Sequence, residues 1–324
     1  MSESSKSSNQ ILGVDIGGTK VAVGLVDQDG KIIAQGRKPM IATSTPEAGL
    51  EAVIGAIDSM ISSAAGGIQS IGICAPGPLD PKTGVVINPP NLPCWRNFPL
   101  AEKLVAKYRV PVKVDNDANA AALAETRWGA ARGFHYVFYA TIGTGIGTGM
   151  VFDGRIYHGH TGSAGEGGHV SIDYRGPVCS CGKRGCIEVL AAGPAIGART
   201  RAKLAGGAQS AILDLANGKV GGVSSELVGK AYAAGDQLAR EILQETVDLL
   251  TPWLGNIVDL LDPDVLVMGG GVAAMLEPFF DDIKNHLPSW CVNPRASEIP
   301  LVMAHYGANA GIAGGAALCS QDPP

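Results

Sequence analysis

The segment ILGVDIGGTKVAVGLVD (Ile11–Asp27) has a counterpart in HYVFYATIGTGIGTGMVFDGRIY (His135–Tyr157). Each reads as an apolar strand, a glycine turn and a second apolar strand. The first copy continues through KIIAQGRKP, with Gln28–Gly30 as the hairpin turn. The repetition predicts two half-molecules built on one plan. At 324 residues the chain also exceeds the ~250–300 at which single cores stop growing, so size alone predicts two domains.

The rest of the chain alternates helix and strand, which predicts an α/β fold. Glu47–Ser62 carries apolar residues at helical spacing. IQSIGICAP is a strand that breaks at Pro76-Gly77-Pro78. LAEKLVAKY is a helix, Val110–Asp117 a strand ending in polar residues, and Ala118–Trp128 a helix directly after it. Glu188 to about Leu261 is mostly helical, with a glycine-rich interruption at Gly218–Gly222. Pro263–Gly271 is a strand followed by a glycine turn, PLVMAHYG a last strand, and Asn309–Leu318 a closing helix expected to pack back on the first domain. The expected domains are 1–118 with 306–324, and 119–305.

Bulk properties exclude several classes. A formal charge of −5 with 17% charged residues gives no attraction to nucleic acid or anionic lipid. MSESSKSSNQ lacks the apolar run of a signal peptide, and no apolar stretch of ~20 residues predicts a membrane span. Of seven cysteines, three cluster and four (Cys74, Cys94, Cys291, Cys319) are scattered, which predicts a reducing, cytoplasmic location. Glycine, at 45 residues, is about twice the usual ~7%. The glycines are expected in turns where bare backbone approaches a ligand.

Four groups of residues carry chemistry. His169, Cys179, Cys181 and Cys186 spell H-x₉-C-x-C-x₄-C, the donor set of one tetrahedral zinc, with Gly182–Gly185 turning Cys186 back. Four protein ligands leave no open position, so the metal is expected to be structural. The turn Asp15-Ile16-Gly17-Gly18-Thr19-Lys20 is either a phosphate-binding nest, with Asp15 holding Mg²⁺ through water, or an ordinary hairpin turn. Thr144 and Gly145, within TIGTGIGTG, and Gly269-Gly270-Gly271 offer two further glycine turns after strands, suited to phosphates and to a base or ribose. Asp117, at the tip of a strand, is placed as a general base or as the N-cap of the following helix. Glu166, His169 and Glu188 flank or belong to the metal segment and suit a polyol, although either Glu alone also reads as a surface residue. His135, His158, His160, His286 and His305 read as ordinary. Trp95 is either a loop anchor on the sugar side or a core residue.

DIGGTK, VDNDANAAALAE, TIGTGIGTG, GSAGEGGH and CSCGKRGCIE occur in the order found in the ROK family (repressors, open reading frames and kinases), which the chain resembles from Ile11 to Leu318, and most of all its bacterial glucokinase branch. The cysteine motif is specific; the glycine turns are shared with the wider sugar-kinase and actin-like superfamily. The resemblance implies two ribonuclease-H-like domains of the actin/hexokinase superfamily flanking a cleft. It implies ATP-dependent phosphorylation of the C6 hydroxyl of glucose, with Mg²⁺ and a structural Zn²⁺, and a homodimer. Asp117 is then the catalytic base. Asn116, Glu166, His169 and Glu188 are sugar contacts, with Gly77 and Asn91 beside them. Thr19, Thr144 and Gly269–Gly271 fall at the ATP side. About ten residues precede the first strand, so the helix-turn-helix of the family's repressors is not expected. N-acetylmannosamine, N-acetylglucosamine and other hexoses are alternative substrates, and a non-catalytic sugar-binding protein is an alternative function.

Overall fold

The structure is a computed structural model and describes residues 10–62 and 67–320. The chain begins with β1 (Gln10–Ile16), β2 (Lys20–Val26), β3 (Ile32–Pro39), α1 (Pro46–Ile61), β4 (Ile68–Ala75), β5 (Leu79–Asp80), β6 (Val85–Val86), α2 (Leu100–Tyr108), β7 (Val112–Asn116) and α3 (Asp117–Arg127). It continues with β8 (Tyr136–Ile142), β9 (Ile146–Phe152), β10 (Arg155–Ile156), α4 (Ile187–Ala191), α5 (Gly193–Ala205), α6 (Ala211–Leu215), α7 (Ser225–Ala233) and α8 (Gln237–Leu261). It closes with β11 (Val265–Gly269), α9 (Gly270–Leu276), α10 (Phe280–His286), β12 (Leu301–Met303) and α11 (Ala310–Cys319).

The two halves share one topology. The first sheet runs β3-β2-β1-β4-β7 and the second β10-β9-β8-β11-β12. In the first, β1–β2 and β2–β3 are antiparallel, β1–β4 and β4–β7 parallel. In the second, β9–β10 is antiparallel, β8–β11 and β11–β12 parallel. Parallel neighbours need crossovers, and α1 and α2 supply them in the first half. Register then places Asp15 opposite Cys74 and Cys74 opposite Asp115, so three parallel strands end together. Ligands of open α/β sheets bind outside such carboxyl ends.

The chain divides into two compact units. The first takes its described residues from Met1–His135, Gly149–Gly165 and His305–Pro324, and the second is Tyr136–Thr148 with Glu166–Ala304. α3 therefore lies in the first unit, beyond the expected boundary at 118, because it packs on α11. The closing helix packs back on β1 and β4, as its composition predicts.

The period of the strands decides what each face meets. Leu12, Val14 and Ile16 join Val53 and Ile57 of α1 in the main core. The opposite face presents Ile11, packed with Ile312 and Ala316 of α11. Here side chains are nearly absent. A Cβ on Gly13 would collide with the Ile312 carbonyl, and one on Gly72 with the Gly315 carbonyl. A Cβ on Gly314 would stand 2.8 Å from the Ala120 carbonyl carbon of α3. Gly13, Gly72 and Gly314 are thus packing residues that let α11 lie at backbone distance from sheet and helix, in addition to the glycines that occupy turns. Trp95 is fully buried, stacked on Phe98 at 5.0 Å, and its indole N–H donates to the Pro46 carbonyl at 3.1 Å; it belongs to the core. Among the described residues no helix is long and apolar enough to cross a membrane.

Substituting Gly72→Ala forces α11 off the sheet, and overpacking of this kind costs about 2–3 kcal/mol. Urea unfolding measures it; wild-type stability would show that these glycines do not set the spacing.

Candidate active site

In the first unit the functional residues gather where β7 turns into α3. Asn116 is the N-cap: its Oδ1 accepts from the N–H of Ala118 at 2.8 Å and of Asn119 at 3.3 Å. Asp117 is the first helical residue, and its Oδ1 accepts from the Ala118 N–H at 2.8 Å. The capping role left open for Asp117 thus belongs to Asn116, while the Asp117 side chain is exposed at the tip. Asp115 points the other way and is buried. Its Oδ1 accepts from the Asn116 N–H at 2.7 Å and from Asn119 Nδ2 at 3.2 Å. Its Oδ2 lies 2.6 Å from His158 Nε2. His158, an ordinary loop histidine by sequence, is therefore tied to this turn; no spacing motif announces the pair, because 43 residues separate its members.

Asp15 ends up beside them. Its carboxyl is pushed above the usual carboxylate range by burial first and then by the charge of Asp117, with Lys20 and Arg37 opposing. The thiol of Cys74 is pushed well up by burial and then by Asp15, Asp117 and Asp115. Three carboxylates thus act on one point at the sheet's end. The carboxylate oxygens of Asp15 are hard donors of the kind that Mg²⁺ takes. Gly311 permits the approach, since a Cβ there would meet the Asp15 carboxyl. In the DIGGTK turn, Gly17 N–H donates to the Lys20 carbonyl at 2.9 Å and closes the turn. A Cβ on Gly18 would stand 2.6 Å from the Asn91 carbonyl oxygen, and one on Gly77 3.4 Å from Asn116 Nδ2. The structure thus brings Gly18 to Asn91 and Gly77 to Asn116. Thr19 and Lys20 are exposed at the same turn.

In the second unit the donor atoms of His169, Cys179, Cys181 and Cys186 all lie within 4.8 Å of one another. Cys179 Sγ is 3.6 Å from His169 Nδ1, and Cys181 Sγ 3.6 Å from Cys186 Sγ. A tetrahedron with Zn–S of about 2.3 Å and Zn–N of about 2.0 Å has edges of roughly 3.5–3.8 Å, so the residues fit zinc. Burial and the neighbouring thiols push Cys186 up to about 12. A divalent cation reverses that logic by stabilising the thiolates. The predicted turn is present: Cys179 N–H donates to the Lys183 carbonyl at 2.7 Å. Gly185 has φ +62°, and a Cβ there would strike the Asp173 carbonyl.

Glu188 is the second residue of α4, two positions after the last cysteine of the cluster. Its Oε2 accepts from the Ile146 N–H at 2.9 Å and would crowd any Cβ on Gly145, and its Oε1 lies 3.9 Å from His169 Nδ1. Glu166 is exposed at the start of a short helical turn, Gly167–His169. Thr148 and Trp253 hold that turn through the Gly167 N–H at 2.8 Å and carbonyl at 3.1 Å. A cavity of about 790 Å³ in this unit is lined by Thr144 and Gly271. It adds residues that no motif marks, among them Pro194, Gly197 and Arg201 of α5, Ser225 of α7 and Met275 of α9. Its size is that of a small-molecule site. Gly269 and Gly270 do not line it; Gly270, at φ +87°, serves the sharp exit from β11 over the Ile142 carbonyl. A larger cavity of about 990 Å³, lined by Lys113, Arg127, Arg132 and Cys319 among others, contains none of the candidate catalytic, sugar, nucleotide or metal residues.

Two α/β halves of one strand order, one with carboxylates at its sheet end and one with a zinc-type cluster and a small-molecule cavity, define the two-domain fold of the actin and hexokinase superfamily. The ROK family profile matches residues 11–322, and the chain belongs to this family. It is 33% identical to a glucokinase of Streptomyces coelicolor over 97% of this chain and 98% of that protein. It is 32% identical to an N-acetylmannosamine kinase of Citrobacter koseri over 96% and 99%. A crystal structure of a ROK family glucokinase from Streptomyces griseus, in complex with glucose and AMPPNP, superposes with a TM-score of 0.81 at 33% identity, covering 95% of this chain and 98% of that one.

A raised acid is one whose ionised form the fold disfavours. The penalty from Asp15 is absent below the ordinary value of 3.8, grows as pH rises from there, and is complete above the raised value. Asp15→Asn is expected to raise the melting temperature at pH 7 by about 1–3 °C, with the gain shrinking toward pH 4. A variant less stable than wild type at pH 7 would contradict the repulsion.

Proposed function

We propose that the chain is an ATP-dependent hexose kinase that phosphorylates the C6 hydroxyl of glucose, with Asp117 as the general base. The observation that carries this reading is the exposed carboxylate of Asp117, held at the end of β7 by a capped helix start and close enough to Asp15 to raise its carboxyl. A hydroxyl nucleophile needs a carboxylate at hydrogen-bond reach to take its proton as it attacks the γ-phosphorus. Asn116, Glu166, His169 and Glu188 are assigned to the sugar hydroxyls, with Gly77 and Asn91 beside them. The cavity lined by Thr144 and Gly271 is assigned to the nucleotide. Mg²⁺, held through water by Asp15, would offset charge on the phosphate oxygens. Zinc on His169, Cys179, Cys181 and Cys186 would brace the segment that ends in Glu188, leaving the chemistry to Asp117.

An N-acetylhexosamine is the second reading, favoured by the nearly equal identity to N-acetylmannosamine kinases. ADP release across a panel of hexoses and N-acetylhexosamines separates the two, and silence on every sugar would favour a non-catalytic binding protein.

Asp117→Asn is expected to lower kcat by about 10²–10⁴-fold, the usual worth of a general base, with unchanged melting temperature and sugar affinity. Near-wild-type kcat would defeat the assignment. Metal analysis is expected to find one zinc per chain in wild type and none in Cys181→Ser, whose melting temperature falls and whose sugar KM rises. If zinc loss stops turnover while fold and sugar affinity persist, the metal is catalytic.

A further inference from the structure

His158 follows β10 in the first unit and reaches the carboxylate of Asp115, Nε2 to Oδ2, at 2.6 Å. The Asp115 side chain is 5% exposed and the imidazole 29%. A contact this short between a buried carboxylate and an imidazole is a charge-assisted hydrogen bond. The pair is wired into the turn that presents the base. The second Asp115 oxygen accepts from the Asn116 N–H and from the Asn119 side chain, and Asn116 caps the helix whose first residue is Asp117. On the other side, the His158 carbonyl accepts from the Ala164 N–H at 3.1 Å, closing the loop that continues into Glu166.

We infer that His158 is a positioning residue for the phosphoryl transfer: as an imidazolium it balances Asp115, fixes the turn that carries Asp117, and offsets the negative charge around it. This rests on the reading of Asp117 as the base. The need for a cation follows from the crowd of charges. Asp15, Asp115 and Asp117 all act on the Cys74 thiol, and like charges raise one another's proton affinity. His158 faces Asp115 from β7 and Lys82 from the turn after β5. Asp15 on β1 faces Asp117 of α3, Lys20 of β2 and Arg37 of β3. The hydrogen bond to Asp115 lifts the imidazole above its ordinary value, so it holds its charge further toward neutral pH. A buried ion pair remote from the base would affect stability alone. This one shares a carboxylate with the cap of the catalytic helix, so its loss reaches the chemistry.

The test is the pH profile of kcat/KM for the sugar in wild type, His158→Gln, His158→Arg and Asp117→Asn. Gln can still donate a hydrogen bond but carries no charge. H158Q is expected to lose about tenfold in kcat, to keep its KM for MgATP within about twofold, and to move the acid limb up by about one pH unit. H158R, which restores the charge, is expected to return the limb to the wild-type position. If D117N is inactive while the H158Q limb overlays wild type, the role of His158 is refuted and the base assignment stands. If D117N turns over at the wild-type rate, the base assignment itself fails. Should H158Q lose its cooperative unfolding transition, H158R decides: a wild-type limb supports the charge role and an upward shift overturns it.

Discussion

The Asp115 carboxylate is the constraint around which the first unit's chemistry is organised. It is buried, and a buried carboxylate must be hydrogen-bonded and balanced by a cation. Asn116, Asn119 and His158 meet that demand, and in doing so they fix the place where strand becomes helix. The change from a two-residue to a 3.6-residue period at this point sends Asp115 inward and Asp117 outward. One side chain anchors the turn and its near neighbour is exposed at the tip.

The same unit depends on the absence of side chains elsewhere. α11 lies on β1 and β4 at backbone distance, which only glycine and alanine allow. That closeness puts Gly311 against Asp15 and holds its carboxyl in a partly desolvated position near Asp117. Packing and electrostatics are therefore one problem here: the small-residue interface that stabilises the sheet also creates the charge repulsion that a bound cation would relieve.

Much of this was legible in the residues. Apolar runs broken by glycine turns located the sheet strands, and their repetition predicted two halves built on one plan. The spacing of Cys179, Cys181 and Cys186 predicted a cluster with His169, since a short loop leaves few ways to arrange three sulfurs. What was not legible depended on tertiary proximity. His158 and Asp115 are 43 residues apart and only Asp115 belongs to a motif, so nothing in the sequence joined them. The packing role of Gly13, Gly72 and Gly314 was hidden because sequence does not say which helix will lie against a strand. Asp117 read as a possible cap because the residue that wins the cap, Asn116, is decided by one residue of register. The cavity wall from α5 and α7 came from helices with no marked residues, and Met275 lies beyond the marked glycines of α9.

The central claim is that the Asp117 carboxylate meets a sugar hydroxyl facing the terminal phosphate of a nucleotide. A crystal structure of the protein with glucose and AMPPNP measures this directly. The account predicts a carboxylate oxygen of Asp117 within about 2.6–3.2 Å of the C6 hydroxyl oxygen. A sugar bound with Asp117 remote from every hydroxyl, or a different carboxylate on the C6 oxygen, would contradict it.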